Sequence, residues 1–582
     1  MATDNLLSEF PSVNTQLWEE AIHKDLKGAD YARKLIWQTE EGLAVRPYYR
    51  AEDIESLEYL DAAPGDFPHV RGSHPAGDWR ICEEIDAVDP VEANRAACSA
   101  VTAGAEKIAF RNVAIEDASD LGILESNLAE VPIHLQDVGE PVLRLLNERL
   151  MKRPRPAPIS TGWCPLANLD FAAEIARTAP PEFVPLNIHG EEFEEAGATA
   201  VEEVGFTLAA GVDFLAGMQS REVDLDRAAA AIAFSFAMGA NYFFQIAKLR
   251  AFRMVWAQAV DAFGGTQENA KARIHVRTSH WNKTVYDPHV NILRATTEAM
   301  SAVLGGADSI SVAPFDECYK AADEASRRLA RNTQILIKQE ALLSRVADPG
   351  GGSYYLEVLT DFIARESWKV MQAIESADGY RKARADGQIA QTLKRSLTAR
   401  EEAVASGRRV FTGTNKYADP SETALDRADL PRIAAGRRAT RAFEELRLRT
   451  ERHVTKGGKC PRILLAEIGD ARMRTARSSF AANFFSCAGF DIVTQQCSKV
   501  EEIAAIDSEL IVLCSSDPEY LALIRELLPR MKALGRRTPV LIAGHPDSAV
   551  QLRAAGVADF VHIQTDPIEF LTAWQQQLGI RD

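Results

Sequence analysis

The stretch from Arg273 to Glu317 limits the possible folds of this chain more than any other. RIHVRTS reads as a strand, and the apolar-periodic run from Val285 to Leu304 as a crossover helix. Gly305-Gly306 reads as its stop, and ADSISVAPFDE as a second strand. Such a βαβ unit sets two strands parallel, because a parallel connection needs a long crossover. Each strand also carries one polar parity: His275 and Arg277 alternate with Ile274 and Val276, and Ser309 and Ser311 with Ile310 and Val312. Parallel strands covered on both faces read as apolar on both, so one face here should look onto something polar.

The same rhythm extends on both sides. Strands are predicted near 80–85, 106–110, 132–136, 158–161, 184–188, 231–236, 273–278 and 308–312, and the clearest helices near 195–210, 239–262, 285–304 and 317–343. Eight such units in roughly 265 residues predict a (β/α)8 TIM barrel, which usually takes about 250. The polar parity recurs at His134 and Gln136, Ser160, Asn187 and His189, and Ser235. A barrel interior is ordinarily Val, Ile and Leu. This one is expected to be polar, as if its axis held, or once held, a polar ligand.

Beyond the barrel, 348–352 (DPGGG) is a turn, with no GK[ST] to make it a phosphate loop. Residues 361–409 read as helix. The stretch from Val410 to Lys459 reads as a linker with a helix whose seven arginines between 432 and 452 face solvent. From Pro461 five short strands alternate with helices, a doubly wound, flavodoxin-like (Rossmann-type) α/β domain. Ligands of that fold bind outside the carboxyl ends of the strands, at loops 468–475, 514–517 and 543–547. The expected organisation is therefore an N-terminal arm (1–60), the barrel (61–395), a linker (396–459) and the C-terminal domain (460–582). The arm holds Trp18 and Trp37 among charges, too short for a core of its own and suited to lie on another surface.

Acidic residues outnumber basic ones 83 to 66, for a formal charge of −17. That balance disfavours nucleic acid and anionic membrane as partners. The eight cysteines form no CxxC pair, which argues against zinc-ribbon and thioredoxin-type chemistry and for free thiols in a reducing compartment. MATDNLLSEF has neither a basic n-region nor an apolar h-region, and no window is apolar over about 18 residues. A cytoplasmic protein is expected.

Several long stretches resemble the adenosylcobalamin-dependent acyl-CoA mutases, most closely the methylmalonyl-CoA mutase family. They are EEAGATAVEEVGFTLAAG (194–211), AKLRAFRMVW (247–256), RTSHWNKTVYDPHVNILRATTEAM (277–300), PFDE (314–317), ARNTQILIKQE (330–340), DPGGGSYYLE (348–357) and GTNKY (413–417). The resemblance spans nearly the whole chain in the family's order, and implies a barrel that threads coenzyme A along its axis. It also allows the family's functional positions to be checked one by one. Where a D-x-H-x-x-G loop supplies the cobalt-binding histidine, this chain reads Asp470-Ala471-Arg472-Met473-Arg474-Thr475. Arg472 has no lone pair to offer a metal, and Thr475 adds a side chain where the family has glycine. The S-x-L motif survives only as Cys514-Ser515-Ser516-Asp517, and the paired glycines as Ala543-Gly544; His545 lies on the wrong loop. In the barrel, Glu191 and Glu192 replace a tyrosine-histidine pair, Arg277 and His280 replace a glutamine and a glycine, and Ala313 replaces an asparagine. Carboxylates stand where a proton donor is wanted. HVRGSHPAGDW (69–79) matches the start of the smaller chain of heterodimeric mutases.

By resemblance, then, the chain is expected to be a non-catalytic small subunit with no catalytic residues and no metal. Adenosylcobalamin and the acyl-CoA would be held by a larger catalytic partner that interconverts methylmalonyl-CoA and succinyl-CoA. Two alternatives stand beside this. One is an active mutase on a related acyl-CoA with unusual cobalt ligation. The other is a regulatory module whose Glu467, Asp470 and Asp517 act as a receiver.

Overall fold

The polar parity of the sequence turns inward and closes into a ring. The structure, a computed structural model, describes residues 13–426 and 429–580. Parallel strands run Arg80–Asp86, Lys107–Arg111, Ile133–Leu135, Ile159–Thr161, Phe183–Val184, Leu186–His189, Ile232–Met238, Ile274–Thr278 and Ser309–Ser311. Phe183–Val184 pairs with the fourth strand and Leu186–His189 with Ile232–Met238. They are two halves of one strand interrupted at Pro185, which has no N–H for a ladder. The last strand returns to the first, Ile310 opposite Ile81, so eight staves close a (β/α)8 barrel.

Helices Ala200–Gln219, Tyr242–Phe263 and Tyr354–Glu375 pack tightly over one side of the outer wall. Glycine allows the close approach: a Cβ on Gly205 would lie 2.6 Å from Val370 and one on Gly211 2.7 Å from Trp256. Charges buried in this layer are paired, as they must be. Lys248 meets Glu203 at 2.7 Å, and Arg250 meets Glu357 at 2.9 Å and Asp348 at 3.2 Å.

The crossover helix starts at Val290, five residues later than its apolar period suggests. Asp287 takes a left-handed φ of 47° ahead of Pro288, which breaks any earlier start. The apolar residues before it, Val285 and Tyr286, are buried instead against the linker segment.

A 3₁₀ turn and three helices, Tyr354–Glu375, Tyr380–Ala385 and Gln388–Ala405, follow the barrel, so residue 395 lies inside a helix. The linker segment leaves Arg437 and Arg441 to solvent but not all of its arginines. Arg447 is buried over the Tyr286 ring at 3.9 Å, and nearby Arg438 is buried against Glu444 at 2.7 Å. The C-terminal sheet runs in the order 2-1-3-4-5 from Arg462–Glu467 to Asp559–Val561, flavodoxin-like, with helices on both faces. Trp281, from the barrel's rim, joins Phe411 and Phe443 in that domain's core. In the arm, helix Thr15–Asp25 buries none of its residues, although Trp18 stacks on Tyr48 at 5.2 Å. Among the described residues, no helix is long and apolar enough to cross a membrane.

Candidate functional site

Midway along the barrel axis, two imidazoles meet. His134 and His275 come from strands on opposite sides of the ring, yet their rings stack with centroids 6.3 Å apart and planes 24° apart. Neighbours fix both rings. His134 reaches Ser160 Oγ at 2.9 Å through Nδ1 and Gln136 Oε1 at 2.8 Å through Nε2, while His275 Nδ1 reaches Ser309 Oγ at 2.8 Å. Burial, and then the nearby Lys107, push the His134 pKa down to about 3 and that of His275 well below its ordinary value. Both rings are therefore neutral near pH 7, which suits two facing imidazoles in a confined space. On the same inner wall Asn187 donates to Ser235 Oγ at 2.8 Å. Much of the polar parity is thus consumed by hydrogen bonds among the barrel's own side chains, though Ser311 Oγ is buried without one among the described residues.

Toward the carboxyl ends of the strands, Arg277 crosses the mouth. Its Nε donates to Glu84 Oε1 at 2.8 Å and its Nη2 to both Glu317 oxygens at 2.7 Å. Arg111 donates to the other Glu84 oxygen at 3.2 Å, and His280 Nε2 abuts Arg277 Nη1. Two cations and two carboxylates balance. Burial favours the neutral Glu84 acid, but Arg277 and Arg111 outweigh it and hold its pKa down to about 2. A small cavity of about 170 Å³ is left beside this network.

Glu191 and Glu192 open the short helix Glu191–Glu195 and diverge there. Glu191 accepts from His189 Nδ1 at 2.9 Å, while His189 Nε2 donates to the Gly162 carbonyl at 2.6 Å. Burial opposes charging His189, but Glu191 prevails and lifts its pKa to about 9. Glu192 is exposed. The site residues foreseen in the barrel therefore form two groups, Arg277 with His280 and Glu191 with His189.

In the C-terminal domain the loop after the first strand is a helix cap. Asp470 accepts from Met473 N at 2.8 Å, and Arg472 and Thr475 are exposed, Thr475 Oγ1 donating to the Ala471 carbonyl at 3.0 Å. Behind it the sheet edge is filled. Arg477 donates to Asp517 at 2.7 Å and to Tyr520 Oη at 3.1 Å, and its guanidinium lies so close to Gly544 that a Cβ there would collide with it. Glu519 accepts from the Ser515 and Ser516 hydroxyls and the Asp470 N–H, which hold its pKa down to about 2. His545 is exposed, its ring 5.1 Å from that of His562. Among the described residues, no group of three or more His, Cys, Asp or Glu is placed to hold a metal ion.

Sequence reasoning missed Glu84, Glu317, Arg111 and Arg477. Glu84 left a signal in the Glu83-Glu84 doublet within a strand, where one acid must face inward; Glu83 faces out to Arg331. Arg477 left none, since its role depends on a glycine 67 positions away in the chain.

A sequence model described as methylmalonyl-CoA mutase matches residues 38–131 and 166–466. The chain is 35% identical to the methylmalonyl-CoA mutase small subunit of Porphyromonas gingivalis, covering 99% of both chains. It is 30% identical to the small subunit of Streptomyces virginiae, over 99% of this chain and 98% of that one. To the methylmalonyl-CoA mutase of Escherichia coli it is 26% identical, over 94% and 96%.

Proposed function

The chain belongs to the methylmalonyl-CoA mutase family, and from that premise we propose that it is the non-catalytic small subunit of a heterodimeric mutase. The observation that carries this reading is Arg277, clasped between Glu84 and Glu317 across the barrel mouth. Below it, the His134–His275 stack stands on the axis along which the family threads coenzyme A. A thioester entering here would have to separate the neutral, stacked rings and then break a half-buried ion network. Removing one member of such a network costs several kcal/mol, on the order of 3–5.

The residues present do not fit adenosylcobalamin. Arg472 offers no lone pair, and Arg477 and Glu519 fill the sheet edge with their own bonds. No step of a rearrangement is therefore assigned to this chain. Glu191 is engaged by His189 and accepts protons rather than supplying them. The cofactor and the acyl-CoA belong, in this proposal, to a longer cytoplasmic paralogue with an intact D-x-H-x-x-G loop, and this chain supports its fold. The activity of the pair is the interconversion of methylmalonyl-CoA and succinyl-CoA.

Reconstitution tests this. The chain and the longer paralogue, mixed and sized, should co-migrate as a one-to-one pair. Turnover should vanish when the paralogue's loop histidine is changed and persist when Glu192 of this chain is changed. Turnover by the paralogue alone at the full rate and stability of the pair would remove the reason for a second subunit.

A further inference from the structure

Below the imidazole stack, the amino ends of the strands surround a blind cavity of about 590 Å³. It lies at the end of the barrel opposite the Arg277 network and has no role in the function proposed above. Its floor presents one amine. Lys107, on the second strand, points inward beside Ser309, its Nζ donating to Ser309 Oγ at 3.1 Å, and no carboxylate within ion-pair distance is seen among the described residues. Arg80, Lys271 and Arg273 line the same cavity nearer its opening, against the acids Glu268 and Asp308. Glu268 is taken up by Lys271 at 2.6 Å, and Asp308 accepts from the Ile274 N–H at 2.6 Å and faces His74 at 3.8 Å.

We propose that Lys107 is a carbonyl-reactive amine, and that this cavity takes a small aldehyde or 2-oxo acid carrying an anionic group. The rim cations attract the anion, and the carbonyl reaches the amine at the blind end. The neutral amine adds to the carbonyl carbon, and the carbinolamine then loses one water to leave the imine. No oxidant or other co-reactant is needed. Ser309 Oγ, bonded to both Lys107 Nζ and His275 Nδ1, stands where it can pass the proton leaving the nitrogen on to the departing hydroxyl, which goes as water. Burial, with Arg80 adding to it, lowers the Lys107 pKa; Asp308 and the Cys82 thiol act in the opposite sense but do not cancel it. His134 and His275 face the amine as neutral rings. A lysine whose charged form is disfavoured by burial and by a cationic neighbour is a usual setting for imine chemistry.

The probe is pyridoxal 5′-phosphate, an aldehyde with a phosphate, trapped with borohydride on the full chain and mapped by peptide mass. Lys107 should be labelled several-fold faster than the exposed Lys152 at pH 7.5, because the cavity's cations gather the phosphate beside an amine held in place by Ser309. Arg273→Gln should slow Lys107 several-fold and leave Lys152 unchanged, and Lys107→Arg should abolish the fast phase. Labelling of Lys107 no faster than Lys152, or a fast phase that survives Lys107→Arg, would overturn the proposal. The first result is read on the unsubstituted chain, so the test does not depend on whether a variant folds.

Discussion

Arg277 is held by four charge-assisted contacts in a half-buried setting, and such a group is costly to leave half-made. Arg277→Gln should therefore lower stability in urea by about 3 kcal/mol, because Glu317 loses its side-chain partner and Glu84 is left with Arg111 alone. The sign with pH is fixed by Glu84, whose pKa is depressed to about 2. Its contribution is complete above the unfolded carboxylate value and fades as pH falls from about 4 toward 2. The gap between wild type and Arg277→Gln should narrow over that window. His189 runs the other way, with a pKa lifted to about 9. Its pairing with Glu191 stabilises fully below about pH 6.5 and is lost as pH rises through 9. Glu191→Gln should accordingly cost stability at pH 6, on the order of 2–3 kcal/mol, and much less at pH 10. Chemical denaturation at the two pH values checks it. At this scale the sequence named Arg277, His280 and Glu191 but not the carboxylates Glu84 and Glu317 that hold Arg277. Which carboxylate meets a guanidinium depends on stave order around a closed ring, and single-residue parity carries no information across the axis.

Among the elements, the arm and the first loop of the C-terminal domain carry the next predictions. Helix Thr15–Asp25 buries no residue of its own, so the barrel gains little from it. Deleting residues 1–29 should move the thermal midpoint by less than about 1 °C, roughly 1 kcal/mol for a molecule of this size, while weakening association with the longer paralogue in gel filtration. A larger drop in the midpoint would mean that the arm belongs to this chain's own core. In the C-terminal domain, Arg472→His with Thr475→Gly rebuilds the missing motif residues but leaves Arg477 and Glu519 in place. The double variant should stay colourless after incubation with adenosylcobalamin and desalting. Elements were well legible in the sequence where period and punctuation agreed, as in all eight barrel staves and the five strands after Pro461. They were less so where a buried charge imitates a surface one. Arg438 and Arg447 look like a solvated helix face, yet each is covered, one by Glu444 and one by Tyr286.

As a whole molecule, the chain keeps the barrel, the linker and the doubly wound domain of its family, with a shared core at Trp281, Phe411 and Phe443. The function proposed here puts a family member's ligands at the axis, the mouth and the C-terminal sheet edge. There, side chains bond one another instead of facing open space. The overall order was legible because long motifs recur in sequence. Closure of the axis was not, because it requires His134 and His275 to meet from strands 141 residues apart. The central claim is that this chain's own barrel and C-terminal domain admit neither thioester nor corrinoid. Calorimetric titration of the purified chain alone with methylmalonyl-CoA, in the presence and absence of adenosylcobalamin, tests it most directly. The account predicts no saturable heat and no succinyl-CoA in the cell; one-to-one binding accompanied by succinyl-CoA would contradict it.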